Sequence, residues 1–123
     1  MSEVGIDLVS ISRIKSAYLK YGERLLKRFL NKSELELVAL ESSINYQRLA
    51  GIWALKEACS KALKTGIGKE LSFHDMTYFK TSDAPNLSLS QKTLEKFQVK
   101  SISVSLSHEK DLLTAICFVT FKD

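Results

Sequence analysis

Residues 101–121 read SISVSLSHEKDLLTAICFVTF. In the first eight, Ile102, Val104 and Leu106 fall on one side and four serines on the other, the period-two pattern of a strand. Glu109, Lys110 and Asp111 supply turn chemistry, and residues 112–121 are rich in β-branched and aromatic side chains. The stretch therefore predicts an antiparallel β-hairpin, which needs a partner to cover its apolar face. The long run at helical period, about Asn45 to Lys64, is the candidate. The expected fold is α+β: an antiparallel sheet packed against one long helix, with short N-terminal helices.

The remaining chain fits that plan. VGIDLVSI (4–11) reads as a strand, with Ser12 as the cap of the first helix. Residues 13–30 are helical in period and broken at Gly22. Asn31 and Glu34 form a capping-box pattern ahead of Leu35, Leu37 and Val38. TGIG (65–68) ends the long helix, with Gly66 suited to a left-handed cap. Residues 74–80 and 86–90 alternate as strands around the turn residues SDAP, and 91–97 form a short helix. There are no repeats and no linker, so 1–123 is expected to be one domain.

Composition narrows the class. Apolar residues make up 45 % and charged residues 26 %, the balance of a globular domain. Cys59 and Cys117 each lie in an apolar periodic run and read as core residues in a reducing compartment. Neither a basic signal segment nor an apolar run of membrane-spanning length is present, so a cytoplasmic protein with no membrane segment is expected. Net charge is +4, but residues 13–32 hold seven basic side chains against one acid, Glu23. That local +6 leaves −2 for the rest and suggests an acidic partner, or else a solvated helical face.

Three charged residues do not fit a plain scaffold. On the long helix, Ile52, Leu55, Cys59, Ala62 and Leu63 define the core face, and Glu57 points opposite among Ala50, Trp53 and Ala54. Glu57 and Lys61 have the spacing of a surface ion pair; alternatively, the alanines make room for a ligand that both residues address. Asp7 lies between Ile6 and Leu8 in a strand, bonding local backbone, pairing Arg13, or serving a site. His108 falls on the apolar face of its strand, as a hydrogen-bonded residue at the hairpin mouth or as a ligand contact. Two carboxylates without a Cys/His set suit a hard cation such as Mg²⁺, and a nearby lysine suits phosphate.

These residues stand in motifs. GIDLVSISRI, WALKEACSKALKTGIG, LSFHDM and SVSLSH, in that order and over essentially the whole chain, resemble the holo-[acyl-carrier-protein] synthases of the phosphopantetheinyl transferase superfamily. The resemblance implies that fold and a Mg²⁺-dependent transfer of phosphopantetheine from coenzyme A to a serine of apo-acyl carrier protein. The by-product would be adenosine 3′,5′-bisphosphate and the pathway fatty acid biosynthesis. It implies Asp7 and Glu57 as metal ligands and, with Lys61, as the catalytic cluster. Lys61, Gly66, His108 and Arg48 would bind the coenzyme, and Arg13, Arg24 and Arg28 the acidic carrier. It also implies a homotrimer with active sites between subunits.

Two departures stand out. Ile52 and Trp53 occupy positions where the family often has Arg-Phe, with Arg48 one turn earlier as the substitute. SDAP replaces a glycine-containing turn. The rival readings are a basic nucleic-acid module, which lacks any recognised DNA or RNA signature, and a catalytically silent scaffold, against which intact Asp7, Glu57 and Lys61 argue.

Overall fold

The computed structural model describes residues 1–123. The elements run β1 (Ser2–Ser10), α1 (Ile11–Tyr21), α2 (Glu23–Phe29), α3 (Lys32–Val38), α4 (Tyr46–Ala62), β2 (Met76–Thr81), β3 (Ala84–Leu89), α5 (Gln91–Phe97), β4 (Val99–Glu109) and β5 (Leu112–Phe121). The expected hairpin is β4–β5, with Glu109 opposite Leu112 across a two-residue turn. β1 adds antiparallel to the other edge of β5, giving the order β1-β5-β4. β2 and β3 make a separate two-stranded sheet. His74 and Asp75, read from sequence as strand, instead lie in a 3₁₀ turn over Phe73–Asp75. Ser72 caps that turn, and its N–H is taken by the Asp75 carboxylate.

The three-stranded sheet buries one face on α4. Leu113, Ala115, Cys117 and Val119 of β5 pack there with Leu49, Ile52, Leu55, Ala58, Cys59 and Ala62 of the helix. Both cysteines are free and buried. The outer face holds the serines of β4 together with Val4, Ile6, Leu8, Ile116 and Phe118, all substantially exposed. Its apolar surface thus comes from β1 and the alternate residues of β5, not from Leu113 and its set, which the helix covers.

Gly5 fixes how closely β1 approaches α4. A Cβ there would stand 1.9 Å from the Ala58 carbonyl oxygen and 2.6 Å from the Ala62 nitrogen. Only a residue without a side chain permits this contact. Two residues on, on the same face, Asp7 is carried over the last turns of the helix.

Helix ends show where local rules were shifted. Ser10, not Ser12, caps α1, its hydroxyl accepting the Arg13 N–H at 3.3 Å. Ser12 is diverted to Asp111 in the β4–β5 turn, which takes its N–H at 2.9 Å and its hydroxyl at 2.7 Å. Hydrogen bonds from Ser10, and then Ser12, hold the Asp111 carboxyl below its usual range. Gly22, at φ 58°, divides α1 from α2 as expected. Beyond α4 the first left-handed residue is Lys64 (φ 63°), whose ammonium pairs with Glu3 of β1 at 3.1 Å. Gly66 (φ 68°) is a second left-handed position, its N–H bonded to the Ser60 carbonyl at 3.2 Å.

Candidate active site

Asp7, Glu57 and Lys61 meet where β1 crosses α4. The intrahelical Glu57–Lys61 pair suggested by their spacing is not the contact made. Lys61 Nζ donates to Asp7 Oδ1 at 2.9 Å and to the Ile6 carbonyl at 3.0 Å. Strand packing offers this lysine two oxygens at once, more than its own helix can. Asp7 is 15 % exposed and Lys61 51 %, so the lysine also faces solvent.

Glu57 is left half-buried with no cation of its own. Burial chiefly, and then the Asp7 charge, push its carboxyl above the usual range, with Lys61 opposing. Asp7, Glu57, Arg13 and Trp53 line a cleft of about 420 Å³. No group of three or more His, Cys, Asp or Glu side chains converges anywhere in the chain. Two adjacent carboxylates in a roomy cleft are too few for an all-protein cage. They fit Mg²⁺, which keeps waters and takes phosphate oxygens to complete its shell.

Arg13, Arg24 and Arg28 belong to the same side of the molecule. Arg24 and Arg28 line a groove of about 320 Å³ with Tyr21. Ala17 and Leu25 line both this groove and the carboxylate cleft, so the basic surface runs into the Glu57 site.

Arg48 and His108 are elsewhere. They line a different cleft of about 290 Å³ with Tyr78, Lys80 and Asp83. His108 Nε2 lies 3.1 Å from Gln47 Nε2. Burial raises the Tyr78 phenol, while a charge and hydrogen bond from Arg48 oppose the rise. Ile52, the position of the family arginine, is fully buried, whereas Arg48 one turn earlier reaches the cleft. Gly66 lines neither cleft, and the space where its Cβ would stand is open.

Sequence reasoning passed over Gly5, Tyr78 and the buried Lys56. For Lys56 a signal existed: it lies four residues after Ile52 and three before Cys59, within the core-facing sector of α4. Nothing local in β1 marks Gly5, because its constraint comes from a helix more than fifty residues away.

Residues 3–117 match the 4′-phosphopantetheinyl transferase superfamily, which defines the class as a transferase. The holo-[acyl-carrier-protein] synthase of Sulfurimonas denitrificans is 47 % identical over 114 residues, covering 92 % of this chain and 90 % of the relative. That of Helicobacter pylori is 45 % identical over 118 residues, covering 95 % and 96 %. A crystal structure of the Helicobacter pylori synthase in complex with coenzyme A superposes with a TM-score of 0.88 at 42 % identity, covering 95 % of this chain and 99 % of that one. The Neisseria meningitidis synthase gives 0.86 at 29 % identity, covering 96 % and 97 %. The chain belongs to the holo-[acyl-carrier-protein] synthase family and is an enzyme. No helix is long and apolar enough to cross a membrane.

Proposed function

We propose that residues 1–123 act as one domain that moves phosphopantetheine from coenzyme A to a serine of apo-acyl carrier protein, in the cytoplasm and in the service of fatty acid biosynthesis. The observation that carries this reading is the meeting of Asp7 and Glu57 in one cleft that adjoins a basic groove, with Lys61 bonded to Asp7. Incubation with apo-carrier protein, coenzyme A and Mg²⁺ should add one phosphopantetheine by intact mass. An unchanged mass would overturn it.

In the reaction a bond forms between the serine oxygen and the β-phosphorus, and the bond from that phosphorus to the bridging oxygen breaks. Adenosine 3′,5′-bisphosphate leaves. Asp7 and Glu57 would hold Mg²⁺, whose chemistry is to neutralise charge on the phosphoryl oxygens. Lys61, anchored by Asp7 and the Ile6 carbonyl, is half-exposed and aims its remaining donor capacity at phosphate. Gly66, which lines neither cleft, is kept as a coenzyme contact only by the family resemblance. Arg48 and His108 bind the far part of the coenzyme. The serine proton passes to a water hydrogen-bonded to a carboxylate of the cluster.

Arg13, Arg24 and Arg28 dock the acidic carrier. Arg28→Glu should raise the KM for carrier on the order of tenfold and leave that for coenzyme A nearly unchanged. Wild-type affinity for the carrier should fall with salt, since charges are screened beyond about 10 Å at 0.1 M. Equal losses for both substrates would remove the docking role.

The assembly proposed is a homotrimer with each active site shared between neighbours. Two features favour an assembly of copies, and the count of three is what the family resemblance implies. The outer face of β1 and β5 exposes Val4, Ile6, Leu8, Ile116 and Phe118 side by side, a patch that invites an interface. The carboxylate cleft and the Arg48/His108 cleft are also distinct within one chain, so a neighbour can bring the two together on one coenzyme. Ile6→Glu with Phe118→Glu should reduce the mass in light scattering to that of a monomer and abolish transfer. A fully active monomer would rule out shared sites.

A further inference from the structure

A buried ion pair lines neither cleft but is joined to residues that do. Glu34 and Lys56 are each wholly buried, with Lys56 Nζ 2.7 Å from Glu34 Oε1. The same oxygen accepts the Asn31 N–H at 2.6 Å, completing the capping box of α3. The second oxygen accepts the Tyr78 N–H at 2.6 Å. Lys56 Nζ also donates to the Phe29 carbonyl at the end of α2, at 2.6 Å. Asn31 adds bonds from Nδ2 to the Met76 carbonyl at 3.1 Å and to Thr77 Oγ1 at 2.8 Å. No buried side-chain polar atom is left without a partner.

This network is more than a cap requires. A capping box needs one carboxylate oxygen and one backbone N–H. Here the carboxylate also joins α4 to β2, two elements that bracket the functional regions. Lys56 immediately precedes Glu57 of the carboxylate cleft. Tyr78 lines the second cleft beside Arg48. A buried ion pair is a poor device for stability, because desolvation offsets most of its attraction and apolar replacements of similar volume are often no less stable. What it does supply is direction: fixed hydrogen bonds admit one relative placement of the helix and strand, where apolar packing tolerates sliding.

We propose that Glu34 and Lys56 are positioning residues for the transfer reaction, fixing α4 against β2 and so the spacing between the carboxylate cleft and the Arg48/Tyr78 cleft. In a closed ring of copies, that spacing within each chain sets how the cleft of one copy meets the complementary cleft of the next. The inference rests on the functional reading above and adds to it residues that touch neither substrate.

The test is the double variant Lys56→Met with Glu34→Leu, which removes both charges together and leaves only the Asn31 and Tyr78 N–H groups and the Phe29 carbonyl without their partners. It should fold, with a melting temperature lowered by the loss of those three hydrogen bonds. Its KM for coenzyme A should rise at least tenfold, and its KM for carrier should change less than threefold. Hydrogen exchange should accelerate over residues 76–81 and stay unchanged over the β4–β5 hairpin. A folded variant with a wild-type KM for coenzyme A, or with unchanged exchange at 76–81, would overturn the proposal. Should that variant fail to fold, Lys56→Met with Glu34→Gln is measured in the same way. It keeps an oxygen for Asn31 but turns an amide toward the Tyr78 N–H. Failure of both to fold would also overturn the proposal, since the pair would then serve folding and not position. If the wild type itself transferred nothing, the functional reading would fall, while the exchange data would still decide whether the pair ties the two elements.

Discussion

Glu57→Gln is expected to lose transfer by roughly 10³-fold while the protein becomes no less stable at neutral pH. The two halves of this result have one cause. In the metal-free fold, burial and the Asp7 charge hold the Glu57 carboxyl above its usual range. A carboxyl raised in the folded state binds more protons there than in the unfolded chain, so its ionisation opposes folding as pH rises through the interval between the two values. The neutral amide removes that opposition. Above the interval the variant should therefore melt at or above the wild-type temperature, and below it the difference should vanish. Asp7→Ala should lose activity to a similar extent, but it also strips Lys61 of an ion-pair partner. It should not share any gain in stability. Thermal melts from pH 4 to 8, set beside turnover at saturating Mg²⁺, check both. A Glu57→Gln variant with wild-type turnover at limiting Mg²⁺ would dismiss Glu57 as a ligand.

Gly5→Ala is the second large effect, and it acts through packing. The added methyl would overlap the Ala58 carbonyl and the Ala62 nitrogen. Both are backbone atoms inside a helix and cannot rotate away. Overpacking of this kind costs about 3 kcal/mol, roughly 10 °C in melting temperature for a chain of this size. The strand must lift off α4 to relieve it, and Asp7 moves with it, away from Lys61. Transfer should therefore fall at least about tenfold, even at temperatures where the variant is folded, because misplacement of this order is costly to an oriented reaction. Gly68→Ala is the control, since nothing lies within 4 Å of its Cβ position; it should melt and turn over as the wild type. If Gly5→Ala matched this control, the close contact of β1 on α4 would not be what places Asp7.

Much of the architecture was legible in the sequence because local chemistry and tertiary demand coincide there. The β4–β5 hairpin follows from alternation, the break at Gly22 from its left-handed backbone, and α5 from the short helical run at 91–97. Motif order alone pointed to the family, and the same motifs named Asp7, Glu57 and Lys61 as a set. What sequence could not supply is which of these residues touch. Helical spacing pairs Lys61 with Glu57, but the approach of β1 gives the lysine to Asp7 and leaves Glu57 unpaired in its cleft. That approach depends on a missing side chain, at Gly5, and an absence carries no periodic signature.

The same limit governs the buried polar residues. Glu34 was readable as a cap because its partner is three residues away. Its bonds to Lys56 and Tyr78 join residues 22 and 44 positions apart, and no rule of local spacing reaches that far. Likewise Arg48 and His108 prove to share one cleft and the carboxylates another, a division made by the direction of α4 between its two sheets. The sequence by itself determined most of the elements, one buried face of α4 and the candidate site residues, because propensity and periodicity act over a few residues. The tertiary structure alone decided their pairing and their division between clefts, because those depend on the angles at which distant elements pack.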